Sequence, residues 1–222
     1  MQILHTTKIV SNFILGIFFP INCPGCNKKD EVLCENCLQK IKLTDRQTEE
    51  SIIAIFDYRD DLIKKIIWHL KYHHQKHLGQ KLGQIIYEYT KNELSDLKTL
   101  SQGKPILVIP VPVSRKRLRE RGYNHSELLA LGFYKENKEN LVFKNNLVFK
   151  NQETEHQAKI TNKNIRLKNI KNSFSVNSNL NIKGRTIIIV DDVTTTGGTF
   201  LEISRVLKKA GAKKVMGFAL AH

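Results

Sequence analysis

The stretch from Thr186 to Phe200, T-I-I-I-V-D-D-V-T-T-T-G-G-T-F, constrains this chain more than any other. Ile187, Ile188, Ile189 and Val190 are consecutive and β-branched, a pattern that suits a strand covered on both faces in the middle of a parallel sheet. Two acids, Asp191 and Asp192, close that strand. A threonine and glycine loop follows, and the spacing of Leu201, Val206 and Leu207 then predicts a helix over 201–210. Such a junction collects backbone N–H groups that lack helical partners and aims the positive end of the helix dipole at the loop. An anion such as phosphate is satisfied there. Gly197 and Gly198 admit it close to the backbone, and the hydroxyls of Thr194, Thr195, Thr196 and Thr199 can each donate to it. Ionised carboxylates only accept hydrogen bonds, so Asp191 and Asp192 call for hydroxyl donors or a cation, and adjacent sugar hydroxyls would serve both. The plainer reading is a helix capped by Thr196 or Thr199, with the acids merely solvated at the sheet end.

The loop is not of the Walker type, because no Gly-Lys-Ser/Thr closes it and the acids precede it. D-D-V-T-T-T-G-G-T resembles the phosphoribosyl pyrophosphate (PRPP) binding signature of type I phosphoribosyltransferases. The resemblance implies an α/β fold, a type I phosphoribosyltransferase-like parallel sheet with flanking helices. It also implies that Asp191 and Asp192 hold the ribose 2′- and 3′-hydroxyls while residues Thr194 to Thr199 cradle the 5′-phosphate.

All four cysteines fall into two pairs, Cys23-Pro24-Gly25-Cys26 and Cys34-Glu35-Asn36-Cys37. Each C-x-x-C turn points two thiolates to one side, and two such turns close a tetrahedron around zinc. Four protein ligands leave no position for water, so the expected zinc is structural. Disulfides are the competing reading and would demand an oxidising compartment. The apolar run Phe13 to Phe19 is shorter than the ~18 residues that read as a membrane span, and no small-residue cleavage site follows it. It suits a helix that docks on the body through Ile9, Val10, Phe13, Ile14, Ile17 and Phe18. A cytoplasmic protein without a membrane span is expected, built as an N-terminal helix and zinc module over 1–45 and a phosphoribosyltransferase-like domain over 46–222.

Within that domain, Ile52 to Phe56, Pro105 to Val111 and Val215 to Ala221 read as strands. Residues 61–72 and 78–89 read as amphipathic helices, 95–104 as a polar linker, and Gly211 as a helix C-cap. Leu141 to Asn151, L-V-F-K-N-N-L-V-F-K-N, echoes itself and reads as a strand or a hairpin. His69, His73, His74 and His77 look like a metal cluster, but no carboxylate lies nearby and solvated side chains are expected. Strand 105–111 runs into Val113-Ser114-Arg115-Lys116-Arg117, and five cations fall between Arg115 and Arg121. One reading is an exposed basic loop. The other uses position: at the carboxyl end of a neighbouring parallel strand the loop opens on the same crevice as Asp191. Pyrophosphate would there meet the backbone N–H groups of Val113 and Ser114 and the side chains of Arg115, Lys116 and Arg117. The balance of 36 Lys and Arg against 21 acids, net +15, suits phosphate-rich partners or else reflects compositional bias over solvated faces.

V-P-V with R-K-R-L-R-E-R-G-Y-N, the paired C-x-x-C turns, Leu70-Lys71-Tyr72 and the Asp191 loop together resemble the ComF family, named for competence for DNA uptake, over nearly the whole chain. The family pattern continues at Thr154-x-x-Gln157 and Arg166-x-x-Asn169, with Phe174 behind, where these enzymes carry a flap over the substrate; the plain reading of Gln157 and Arg166 is a surface loop. The chain departs from the pattern at Asn124-His125, where Asn-Gln is common, and at Lys150, where an arginine is usual. The resemblance implies a Mg²⁺-dependent enzyme that binds PRPP and passes its phosphoribosyl group to a nitrogen nucleophile, in the service of natural transformation. A binding protein is the alternative, with single-stranded DNA on the basic face around Arg115 to Arg121 and Tyr123 and Trp68 for stacking.

Overall fold

The structure is a computed structural model that describes residues 22–45, 49–73, 75–151 and 170–222. Its central strand is β6 (Thr186–Val193). Around it runs a five-stranded sheet in the order β1 (Ile52–Phe56), β7 (Lys214–Ala221), β6, β2 (Ile106–Pro110) and β3 (Leu141–Phe143). Every pairing in it is parallel. Ile187 to Val190 are at most 1% exposed, because the two sides of β6 feed two separate apolar clusters. Alternation along the strand divides them: Ile188 and Val190 point one way, Ile187 and Ile189 the other.

The first cluster is closed by α2 (Asp61–Tyr72), α3 (Lys76–Tyr89) and α6 (His125–Lys135). Asp60 starts α2 by accepting from the N–H groups of Leu62 and Ile63, and Ile63, Ile66, Ile67 and Leu70 then line its buried face. Helices α3 and α6 touch backbone to backbone. A Cβ on Gly83 would lie 2.0 Å from the Leu129 carbonyl oxygen, and one on Gly132 would lie 2.1 Å from that of Gln80. The second cluster is closed by α7 (Gly198–Lys209) and by an antiparallel ribbon of β4 (Val148–Lys150) and β5 (Phe174–Val176). Helix α7 ends in a Schellman motif around Gly211, which stands at φ +96 just past the C-cap Ala210: Gly211 N–H donates to Lys208 and Ala212 N–H to Leu207.

Cys23, Leu33, Cys34, Cys37 and Ile41 pack into the first cluster together with Ile55, Phe56 and Ile63. The short helix α1 (Glu35–Leu38) carries the last of these cysteines. The expected docking helix at 9–18 lies outside the described residues.

Three expectations change. Residues 95–104 are not a linker but mostly belong to α4 (Lys91–Leu100), which buries only Leu94 and Leu97, a stripe too thin to stand out from polar sequence. The echo at 141–151 is not a hairpin, because β3 joins β2 at the sheet edge while β4 pairs with β5. The basic segment is a helix, α5 (Arg115–Arg121), started by Ser114, whose Oγ accepts from Arg117 N–H, and stopped by Gly122 at φ +74.

Candidate functional site

The carboxyl ends of β6 and β2 open on a cavity of 370 Å³ lined by Asp191, Asp192, Lys71, Arg117, Arg121 and Lys150. Val113, Thr195 and Thr199 reach it too, so the acid pair, the threonine loop and part of the basic segment meet around one hollow. Asp191 is half-buried and accepts from Ser126 Oγ at 2.6 Å. Burial, and then the neighbouring Asp192 charge, raise its pKa to about 6. Asp192 is 4% exposed. Burial works against its ionisation, but the Lys71 ammonium on Oδ2 and His125 beside Oδ1 hold it well below the usual carboxylate range. Its Oδ1 also accepts from Val193 N–H at 2.9 Å. His125 Nε2 stands 3.5 Å from Asp192, and its Nδ1 lies 3.1 Å from Arg121 Nη1. A guanidinium only donates, so Nδ1 accepts and Nε2 carries the hydrogen that faces the carboxylate.

Sequence reasoning missed these supports. Lys71 comes from the last turn of α2, and Ser126 and His125 from the first turn of α6. The available signal was Leu70-Lys71-Tyr72 itself, a cation set directly after the last buried position of an amphipathic helix. The α2 terminus is fixed from both sides. Tyr123 OH donates to the Leu70 carbonyl, and Arg121 lies over the Tyr72 ring at 5.4 Å.

The loop after β6 encloses a smaller hollow of 60 Å³, lined by Thr194 to Thr199. Gly197, at φ +71, is the N-cap of α7 and has no side chain to cap with. As the plainer reading has it, Thr196 caps the helix start in part, its Oγ1 accepting a long bond of 3.4 Å from Gly198 N–H. Two bonds from the end of β7 hold the loop backbone: Thr194 N–H donates to Ala221 at 2.9 Å, and His222 Nε2 lies 2.9 Å from the Thr195 carbonyl oxygen.

The expected pyrophosphate residues divide. Val113 and Arg117 face the acid pair, and Arg121 joins them. Ser114 and Arg115 line a neighbouring cavity of 690 Å³, and Lys116 lines neither. Gln157 and Arg166 lie outside the described residues. Lys150, Ser173 and Phe174, at the ends of the β4–β5 ribbon, border the acid cavity. Tyr123 is 8% exposed and so presents no face for stacking, whereas Trp68 is half-exposed against His73. The rings of His69 and His73 stack at 4.5 Å; neither belongs to a metal-ligating group among the described residues, and His74 lies outside them.

The four cysteine sulfurs lie within 4.8 Å of one another and are unbridged. Cys34 Sγ is 3.7 Å from Cys23 Sγ and 3.6 Å from Cys26 Sγ. A tetrahedral zinc with bonds of about 2.3 Å spaces its sulfurs about 3.8 Å apart, whereas a disulfide requires about 2.05 Å, so the donor set fits the metal. Burial and the neighbouring thiols push Cys37 up to about 12. For Cys23, burial is outweighed by backbone hydrogen bonds from Cys34, Cys26 and Gly25, which bring it to about 6.

A profile of the phosphoribosyl transferase domain matches residues 136–222, the part that carries β6, the threonine loop and α7. With the parallel sheet and its flanking helices, this defines a fold of the type I phosphoribosyltransferase class. The chain is 30% identical over 213 residues to Competence protein F of Haemophilus influenzae, covering 90% of each chain. It is 27% identical over 203 residues to the DNA utilization protein YhgH of Escherichia coli, covering 90% of this chain and 83% of the other. To Competence protein ComFC of Bacillus subtilis it is 26% identical over 202 residues, covering 89% and 76%. The chain belongs to the ComF family of competence proteins. No helix among the described residues is long and apolar enough to cross a membrane.

Proposed function

We propose that this chain binds PRPP with Mg²⁺ and transfers the phosphoribosyl group to a nitrogen acceptor in a pathway of DNA uptake. The observation that carries the reading is the convergence of the acid pair, the threonine–glycine loop and two arginines on one cavity at the carboxyl edge of a parallel sheet. In it, Asp191 and Asp192 receive the ribose hydroxyls, and Thr194 to Thr199 at the α7 N-terminus hold the 5′-phosphate. Val113, Arg117 and Arg121 face the pyrophosphate, with Arg115 and Lys116 adding charge and Ser114 a backbone N–H at the start of α5. Mg²⁺ bound with the pyrophosphate would neutralise charge as it builds on the leaving group.

The C1′–oxygen bond to pyrophosphate breaks, a bond from the acceptor nitrogen to C1′ forms, and the acceptor's N–H proton leaves to solvent. The chain contributes position and electrostatics, without a covalent intermediate. Water must be kept from C1′ while the bond is loose, and we assign that work to the segment carrying Gln157 and Arg166, which lies between β4 and β5 in the sequence, the two strands whose residues Lys150 and Phe174 border the cavity. The four cysteines hold a structural zinc that takes no part in the chemistry.

Calorimetric titration with PRPP, with and without Mg²⁺, tests the reading. Binding is expected with Mg²⁺, Asp191→Asn is expected to weaken it at least about tenfold, and a panel of nucleobases then reports acceptor-dependent pyrophosphate release. Binding of single-stranded DNA that falls steeply with salt, with no response to PRPP, would instead favour the DNA-binding alternative.

A further inference from the structure

Two adjacent carboxylates, one buried and one half-buried, repel each other and recruit a positive charge. Here one is already present. Lys71 Nζ sits on Asp192 Oδ2, its side chain 21% exposed, and the attraction of Asp192 raises its pKa against the opposing effect of burial. The ammonium is not a loose surface group that happens to reach the site. Leu70 is fully buried and its carbonyl is held by Tyr123, while Tyr72 on the other side lies under Arg121. Lys71 is therefore delivered to Asp192 by a helix terminus clamped at both neighbouring residues. The remaining Asp192 oxygen accepts from Val193 N–H and faces His125, so the carboxylate is oriented from three directions.

Although Asp191 and His125 lie near enough to Asp192 to share a cation with it, a divalent cation bonded directly to Asp192 Oδ2 would have to displace the ammonium seated on that oxygen. A sugar hydroxyl would not, because an ionised carboxylate offers about four acceptor positions and Asp191 has a further oxygen beside the one bonded to Ser126. We propose that Lys71 is the resident counter-cation of the acid pair, a positioning residue that lets Asp191 and Asp192 receive ribose hydroxyls without a metal, so that Mg²⁺ enters only with the pyrophosphate. The inference rests on the PRPP reading and divides its site into a metal-independent sugar half and a metal-dependent pyrophosphate half.

Ribose 5-phosphate, which has the sugar and the 5′-phosphate but no pyrophosphate, separates the halves. The full-length protein is titrated with it calorimetrically in Mg²⁺ and in chelator too weak to strip the cysteine metal. The wild type is expected to bind equally in both, within about twofold, and Lys71→Arg to do the same. Lys71→Met is expected to lose about tenfold or more without Mg²⁺ and to recover most of it at millimolar Mg²⁺, as the metal takes the vacated position. Wild-type binding of ribose 5-phosphate that requires Mg²⁺ overturns the inference, as does an equal loss in Lys71→Met with and without the metal. Should Lys71→Met fail to fold, the wild-type and Lys71→Arg titrations still decide. PRPP binding with Mg²⁺ in the wild type keeps the functional reading standing whatever Lys71 does, and its absence removes both.

Discussion

At the scale of single residues, the site sets two adjacent acids to different tasks. Asp192 is kept ionised by Lys71, while Asp191, between burial and that neighbouring charge, titrates near 6. A carboxyl whose folded pKa exceeds its unfolded value, about 3.9, stabilises the fold fully below that value and loses its contribution as pH rises through 6. Asp191→Asn removes the ionisable group and keeps an acceptor for Ser126. Because Asp191 is only half-buried, solvent screens part of the effect. The variant is expected to melt higher than the wild type at pH 8, by about 1 kcal/mol or roughly 2–4 °C, and to match it near pH 4, while losing PRPP binding. Thermal melts at the two pH values check this. His222→Ala removes the bond to the Thr195 carbonyl, and a several-fold weaker PRPP titration, about 1 kcal/mol, is expected with little change in melting. The acids and threonines were readable because they are contiguous. Ser126 and His222 were not, because the fold brings them to β6 and its loop from other elements and no local pattern records the meeting, and Lys71 left only the sign of a cation set directly after the buried Leu70.

At the scale of elements, strands were easier to read than what joins them. β1, β2, β6 and β7 are dense apolar runs because both faces of each are covered, and their limits fall within a few residues of expectation. Helix α4 escaped notice because two leucines make its whole buried face, and β3 and β4 looked like one hairpin because partner choice is decided by distant strands. The contact of α3 with α6 is likewise invisible locally, although Gly79, Gly83 and Gly132 permit it. Gly83→Ala places a methyl group against the Leu129 carbonyl, and since backbone cannot give way as a side chain can, a loss of about 1–3 kcal/mol is expected in urea unfolding. A Gly103→Ala control meets open space, with only the strain of a left-handed φ to register.

At the scale of the whole molecule, the cysteine turns are part of the principal core, since Cys23, Cys34 and Cys37 share a cluster with β1 and α2. Stripping the proposed zinc with a strong chelator is therefore expected to move the unfolding transition of the entire chain downward, on the order of 10 °C, and to carry PRPP binding with it. Calorimetry that showed an unchanged main transition would mean that the turns fold as a separate unit. The order of the sheet has another consequence. Among the described strands β1 is flanked by β7 alone, apart from an isolated bridge between Leu43 and Phe56, and β2 lacks one flank until β6 arrives. A ribosome delivers the nascent chain in the opposite order, so the first 180 or so residues emerge with strand edges and apolar helix faces uncovered, a state that invites chaperones and self-association. A chain cut after residue 180 is expected to accumulate as insoluble aggregate when expressed.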